Sequence, residues 1–217
     1  MAAMSALGIL GLGCDDYGKD LPPPPTDRRS DAVLAKETAT ASGKAAPGKA
    51  PAAPKKLCEG KGSQRPAPTS AVKTAMAEGA QALPASLPFG VGKWTWVNLW
   101  AAWCGPCKEE MPRLLAWQKK LSAAGVSIDL AFVSLDDDQR QMQRFLDAQP
   151  PAGVRATYWL PEGEGRGAWV GAFGLKDPPQ LPVQILVAPS GQVACVIEGA
   201  VDEPDYASLA SFVGAKR

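Results

Sequence analysis

The run WTWVNLW, residues 94–100, leads directly into AAWCGPCKEEMP, residues 101–112. The first part is β-branched and aromatic, the pattern of a strand buried on both faces. After the cysteines, Met111, Leu114, Leu115, Trp117 and Leu121 recur at helical spacing, and Gly125 ends the pattern. The spacing predicts a helix over 105–124. A strand that feeds straight into a helix puts Cys104 at the junction and Cys107 about one turn further in. Such a junction restricts the chain strongly, because the strand must be interior, the helix must cover it, and two thiols must sit at the helix start.

Two thiols so close can supply half a metal site, staple a loop, or cycle between dithiol and disulfide. The 217-residue chain contains no histidine. That excludes C-x-x-C-H haem attachment, Cys/His zinc fingers and Cys–His nucleophilic sites within the chain. A structural zinc site needs four ligands, usually as two knuckles, and the remaining cysteines, Cys14, Cys58 and Cys195, stand singly. No metal and no organic cofactor is expected. In the redox reading, the unsatisfied N–H groups and dipole of the helix start favour a thiolate at Cys104. Cys104 is then the attacking thiol, with a pKa in the lowered range of about 3.5–7.5, and the more shielded Cys107 is the resolving one. Gly105 and Pro106 suit the bend, since proline is tolerated in a first helical turn. Pro112 is expected to kink the helix beyond the site.

Further along, SIDLAFVSL (127–135) reads as a second buried strand. Asp136, Asp137 and Asp138 favour a helix start by the dipole, with Met142, Phe145 and Leu146 on its buried side. VRATYWL (154–160) is a third strand, followed by a short helix around 168–173. VQILVA (183–188) and QVACVIEG (192–199) flank Pro189-Ser190-Gly191 and predict an antiparallel hairpin. A last helix is expected over 204–213. This order gives an α/β domain with three layers (α/β/α), a mixed central sheet and a C-terminal antiparallel hairpin. Its limits are set at 84–217. Trp94, Trp96 and Trp100 are read as core residues of the first strand. Upstream, Val72, Met76 and Leu83 share a face between Pro68 and Pro84, which predicts a short helix over 69–83.

VNLWAAWCGPCKEEMP resembles the active-site stretch of the thioredoxin superfamily and, more narrowly, of the TlpA/ResA-like thiol:disulfide interchange proteins of bacterial envelopes. Asn98 stands where this family commonly has Asn. Glu110 matches an acid that its members place beside the cysteine pair, and the stretch between Cys107 and Pro182 leaves room for the family's extra αβ element. The resemblance implies a thioredoxin fold in which Pro182 is a cis-proline facing the pair. The backbone of Leu181 then pairs with an extended substrate strand. Trp103, Gly105 and Pro106 complete the substrate-contacting surface. Glu110 either relays the proton of the resolving thiol and tunes its pKa, or belongs with Lys108 and Glu109 to a solvated first turn. Nothing outside the pair resembles a peroxidatic site.

The segment MAAMSALGILGLG, residues 1–13, carries no charge. It is too short to span a bilayer, which takes about 20 apolar residues, but suits the core of an export signal. Gly11-Leu12-Gly13-Cys14 resembles a lipoprotein lipobox, which makes Cys14 a lipidation candidate whose two acyl chains anchor the chain stably. Residues 14–68, with Pro22-Pro23-Pro24-Pro25 and an Ala/Pro/Lys-rich remainder, read as a disordered tether. In an oxidising compartment Cys58 and Cys195 are candidates for a structural disulfide clamping this extension to the sheet edge. The alternative is a buried, inert Cys195 and a free Cys58. The balance of 23 Lys+Arg against 22 Asp+Glu argues against a nucleic-acid partner.

The expected function is a monomeric, periplasm-facing, lipid-anchored thiol:disulfide oxidoreductase that reduces disulfides of envelope proteins. A membrane electron donor recharges it. The resemblance further implies apocytochrome c maturation or thiol delivery to a copper-assembly site as settings. Two alternatives remain, a disulfide-donating oxidase and a non-catalytic membrane-tethered assembly or binding module on the same fold.

Overall fold

Trp94–Trp100 forms one of the two innermost strands, and its alternation explains why. Trp96 and Trp100 point into one core cluster, Val97 and Leu99 into the other, so the strand has no face left for water. The computed structural model describes residues 57–58, 65–69 and 72–215. In chain order its elements are β1 (Lys73–Met76), β2 (Trp94–Trp100), α1 (Gly105–Ala123), β3 (Ile128–Ser134), α2 (Gln139–Asp147), β4 (Ala156–Trp159), α3 (Glu164–Ala172), β5 (Val183–Val187) and β6 (Val193–Glu198). A 3-10 turn at Glu203–Asp205 then leads into α4 (Tyr206–Phe212).

The six strands make one mixed sheet in the order β1-β4-β3-β2-β5-β6. β2, β3 and β4 run parallel, joined by α1 and α2, while β5 and β6 are antiparallel to their neighbours. Parallel neighbours require covered crossovers, and the near-continuous apolar runs of β2 and β5 meet that requirement. On one face, Leu114, Trp117 and Leu121 of α1, Met142 and Leu146 of α2 and Leu209 of α4 bury Trp96 and Trp100. On the other, Trp169 and Val170 of α3 cover Val97, Leu99, Val183 and Ile185. Two of the buried indoles keep their hydrogen bonds: Trp96 Nε1–H donates to Gln184 Oε1 at 2.9 Å, and Trp100 Nε1–H to Thr157 Oγ1 at 3.0 Å, whereas the buried Trp169 Nε1–H has no partner among the described residues. The β5–β6 turn is tight against the rest of the chain. A Cβ on Gly191, whose φ is +84°, would lie 3.2 Å from the Cα of Gly90.

Five expectations are corrected. The helix expected over 69–83 is not found among the described residues; residues 73–76 instead form β1, antiparallel to β4 from Lys73 opposite Trp159 to Met76 opposite Ala156. A helix there would have offered little apolar surface and carried Gly79, whereas β4 presented unpaired backbone groups that a short strand satisfies. The domain limit at 84 therefore falls too late. The tether also stops short of 68. Pro66 bridges to Gln192, the N–H of Ala67 donates to the Gly191 carbonyl at 2.9 Å, and Leu57 is buried. Of the three acids after β3, Asp138 alone caps α2, accepting the Arg140 N–H. Finally, α3 begins at Glu164, ahead of the expected 168. The export signal, Cys14 and the tether up to residue 56 lie outside the described residues.

Candidate active site

β2 ends at Trp100, and the next four residues turn the chain into α1 so that Cys104 is its N-cap. Cys104 and Cys107 are joined in a disulfide with an S–S distance of 1.98 Å and a Cα–Cα distance of 5.3 Å. The Sγ of Cys104 also accepts the Cys107 backbone N–H at 3.3 Å. The cap that serine or aspartate oxygen commonly provides is here provided by sulfur, and a helix start that donates to a sulfur stabilises it as a thiolate. Gly105 and Pro106 occupy the first turn of α1, where the missing proline N–H costs nothing. α1 continues through Pro112 to Ala123. Both cysteines are buried, while Trp103 beside them is 61% exposed.

Glu110 is not part of a solvated turn. It is 1% exposed, and its carboxylate is surrounded by donors. Oε1 accepts from Asn98 Nδ2 at 2.8 Å and from Gln184 Nε2 at 2.6 Å, and Oε2 accepts the Val201 N–H at 3.0 Å. Arg113, one turn further along α1, donates to the Val201 carbonyl at 2.6 Å. Burial pushes the Glu110 carboxyl above the ordinary carboxylate range. The hydrogen bonds from Val201, Gln184 and Asn98 and the Arg113 charge pull the other way without cancelling it. Spaced three residues from Cys107 on α1, Glu110 shares a helix face with it.

The peptide bonds Leu181–Pro182 and Asp177–Pro178 are both cis. Pro182 immediately precedes β5, whose Val183 pairs with Leu99 near the end of β2 that leads to Cys104. The Pro182 carbonyl accepts the Gly199 N–H at 2.8 Å, which ties it to the end of β6. Leu181 is half-buried against the core cluster that contains Cys104 and Cys107. The structure thus brings the cysteine pair, Glu110 and the Leu181–Pro182 segment to one end of the sheet. Cys58 and Cys195 form a second disulfide, with a Cα–Cα distance of 5.4 Å, on the edge strand β6.

Gln184 of this neighbourhood went unread in the sequence, and Asp136 was read only as a helix-start acid. Gln184 bridges Trp96 and Glu110, and its one visible sign was a polar residue in an otherwise apolar five-residue strand. Asp136 is fully buried and accepts the Ala102 N–H on both carboxylate oxygens, at 3.0 and 2.8 Å, with Ser134 Oγ donating at 2.8 Å. It anchors the segment just before Cys104, and burial pushes its carboxyl up as well.

A strand–CxxC–helix junction on this sheet, with a cis-proline before the neighbouring antiparallel strand, defines a thioredoxin-fold protein with a dithiol/disulfide centre. Comparison with known proteins places the chain more narrowly. It belongs to the AhpC/TSA family, whose model matches residues 64–196. It is 32% identical to the thioredoxin-like protein YneN of Bacillus subtilis over 81 residues, which cover 37% of this chain and 45% of that protein. Identity to the thiol-disulfide oxidoreductase ResA of the same organism is 27% over 121 residues, 54% of this chain and 62% of the relative. The chain thus spans about half the length of the curated relatives it matches. Among solved structures, the secreted thiol-disulfide isomerase from Corynebacterium glutamicum superposes with a TM-score of 0.52 at 20% identity, covering 68% of this chain and 85% of that one.

Proposed function

We propose that the chain is a thiol:disulfide oxidoreductase that reduces disulfides of envelope proteins. The Cys104 thiolate attacks one sulfur of a partner disulfide, forming a Cys104–partner bond and releasing one partner thiolate. The Cys107 thiolate then attacks Cys104 Sγ, forming the Cys104–Cys107 disulfide and expelling the second partner thiolate. Two electrons pass from enzyme to partner, and the released thiolates take up protons according to their pKa values. Glu110 accepts the proton that leaves Cys107 before the second attack. The edge beside Leu181 and Pro182 receives the partner's extended backbone, and the exposed Trp103 gives it a flat contact. The observation that carries this reading is the Cys104–Cys107 disulfide at a helix start, with Cys104 Sγ as the cap acceptor.

The reducing direction is supported by Gly105-Pro106 between the cysteines, the dipeptide of reducing thioredoxins. An extracytoplasmic location is supported by the Cys58–Cys195 disulfide, since structural disulfides persist in oxidising compartments. Cys14 is the proposed lipid anchor and a membrane dithiol protein the proposed electron donor. In cells, Cys107→Ser should accumulate mixed disulfides on Cys104 that dissolve with reductant. Their absence, with Cys104 reactive to alkylation, would count against the exchange mechanism.

A further inference from the structure

Arg166 is 7% exposed and lies in the first turn of α3, where the helix dipole disfavours a cation. Two carboxylates from different loops offset that position. Nη1 donates to Asp137 Oδ1 at 2.7 Å and Nε donates to Asp177 Oδ1 at 3.0 Å. Asp137 Oδ1 also accepts the Glu162 N–H at 2.9 Å.

Each carboxylate belongs to a loop with a second task. Asp137 follows Asp136, whose carboxylate holds the Ala102 N–H and with it the segment before Cys104. Asp177 lies midway along the loop, residues 173–182, that carries Leu181 and Pro182 to the head of β5. One planar guanidinium therefore spans the loop behind the attacking thiol and the loop that leads to the docking edge.

Only the arginine end of these pairs is buried, Asp137 being 59% and Asp177 26% exposed, and ion pairs screened in this way contribute little to stability by themselves. The fixed fork of an arginine is, by contrast, well suited to setting the register of two segments. We propose that Arg166 is a positioning residue for partner docking. It locks residues 177–182 in register with the segment that bears Cys104, so that the backbone edge beside Pro182 is already formed when a partner arrives. A preformed edge lowers the ordering cost of binding an extended segment. The proposal rests on the exchange reading above, and it predicts selectivity: a protein disulfide needs the edge, whereas a small disulfide needs the thiolate alone.

The test compares Arg166→Gln and Asp177→Asn with the wild-type full chain, using insulin as the protein disulfide and dithionitrobenzoate as the small one. The ratio of kcat/KM for insulin to that for the small disulfide should fall about tenfold in each variant, mainly through KM. The double variant should lose less than the product of the two. The Cys104 pKa, read from the pH profile of alkylation, should stay at its wild-type value. Should Arg166→Gln fail to fold, Asp177→Asn carries the test, because its carboxylate is already 26% exposed. An unchanged ratio in folded variants, or parallel losses with both disulfides, overturns the clamp. A wild-type chain inactive with both disulfides overturns the exchange reading, and the clamp with it.

Discussion

Glu110 on α1 and Gln184 on β5 meet through a hydrogen bond of 2.6 Å across a sequence separation of 74 residues. The helix that carries the cysteines is thereby tied to the strand that follows Pro182. The contact buries a carboxyl whose pKa burial raises above its ordinary value of 4.5. A carboxyl of this kind binds its proton more tightly folded than unfolded. Below 4.5 both states are protonated and the group leaves stability unchanged. As pH rises from there through the raised folded pKa, the unfolded state ionises first and stability falls. Glu110→Gln removes the titration, so the Tm of the variant relative to wild type should climb with pH above 4.5. Parallel Tm–pH curves would contradict this. Asp136, also raised by burial, acts in the same direction and remains in both proteins.

Gln184→Leu tests the other side of the contact. It strips the partner from the Trp96 indole N–H and one donor from Glu110. Leaving a buried donor unsatisfied costs about 1–3 kcal/mol, to be read as a lowered midpoint in urea. With one donor fewer, the Glu110 pKa rises further, so the fall of stability with pH should extend to higher pH. A variant as stable as wild type at every pH would show that the bridge contributes nothing.

The strand–helix junction was legible because both of its patterns are local: apolar continuity over 94–100 and helical spacing after Cys107. The hairpin at 183–198 was legible for the same reason, with turn residues between two apolar runs. β1 was not legible, because what makes Lys73–Met76 a strand is the open edge of β4, 80 to 86 positions along the chain. Likewise nothing local separates Glu109 from Glu110. The rotation of α1 against β5 and Val201 decides which of them is buried. The three acids at 136–138 look alike in sequence, yet they hold Ala102, Arg166 and the start of α2 respectively. Each of those partners is fixed by tertiary packing or by the exact helix boundary.

The second disulfide closes a loop between positions 137 residues apart. A loop of that length restrains the unfolded chain by about 5 kcal/mol in the chain-entropy account. The Cys58→Ser/Cys195→Ser chain should lose that much in urea unfolding while Cys104 and Cys107 still exchange. Limited proteolysis should also cut near Leu57, whose carbonyl now accepts from Ser208 Oγ at 3.2 Å and whose side chain is buried. Unchanged stability and an uncut N-terminal segment would remove the staple from the account.

Trp100 and Trp103 are three residues apart, yet the fold gives them opposite tasks. Trp100 is fully buried, packs against Phe145 with ring centroids 4.8 Å apart and the rings tilted at 51°, and donates its N–H to Thr157. Its replacement by Ala should cost about 3–5 kcal/mol, the range for emptying an aromatic core site. Trp103 projects from the turn that presents Cys104 and keeps 61% of its surface in water. Trp103→Ala should change stability by no more than about 0.5 kcal/mol. A large aromatic at the centre of a contact is, however, where binding energy concentrates, and losing one costs about 2 kcal/mol or more. The KM for a protein disulfide should therefore rise about tenfold or more, while dithionitrobenzoate is affected far less. If Trp103→Ala instead destabilises the chain as much as Trp100→Ala, its surface belongs to the fold and the docking face lies elsewhere.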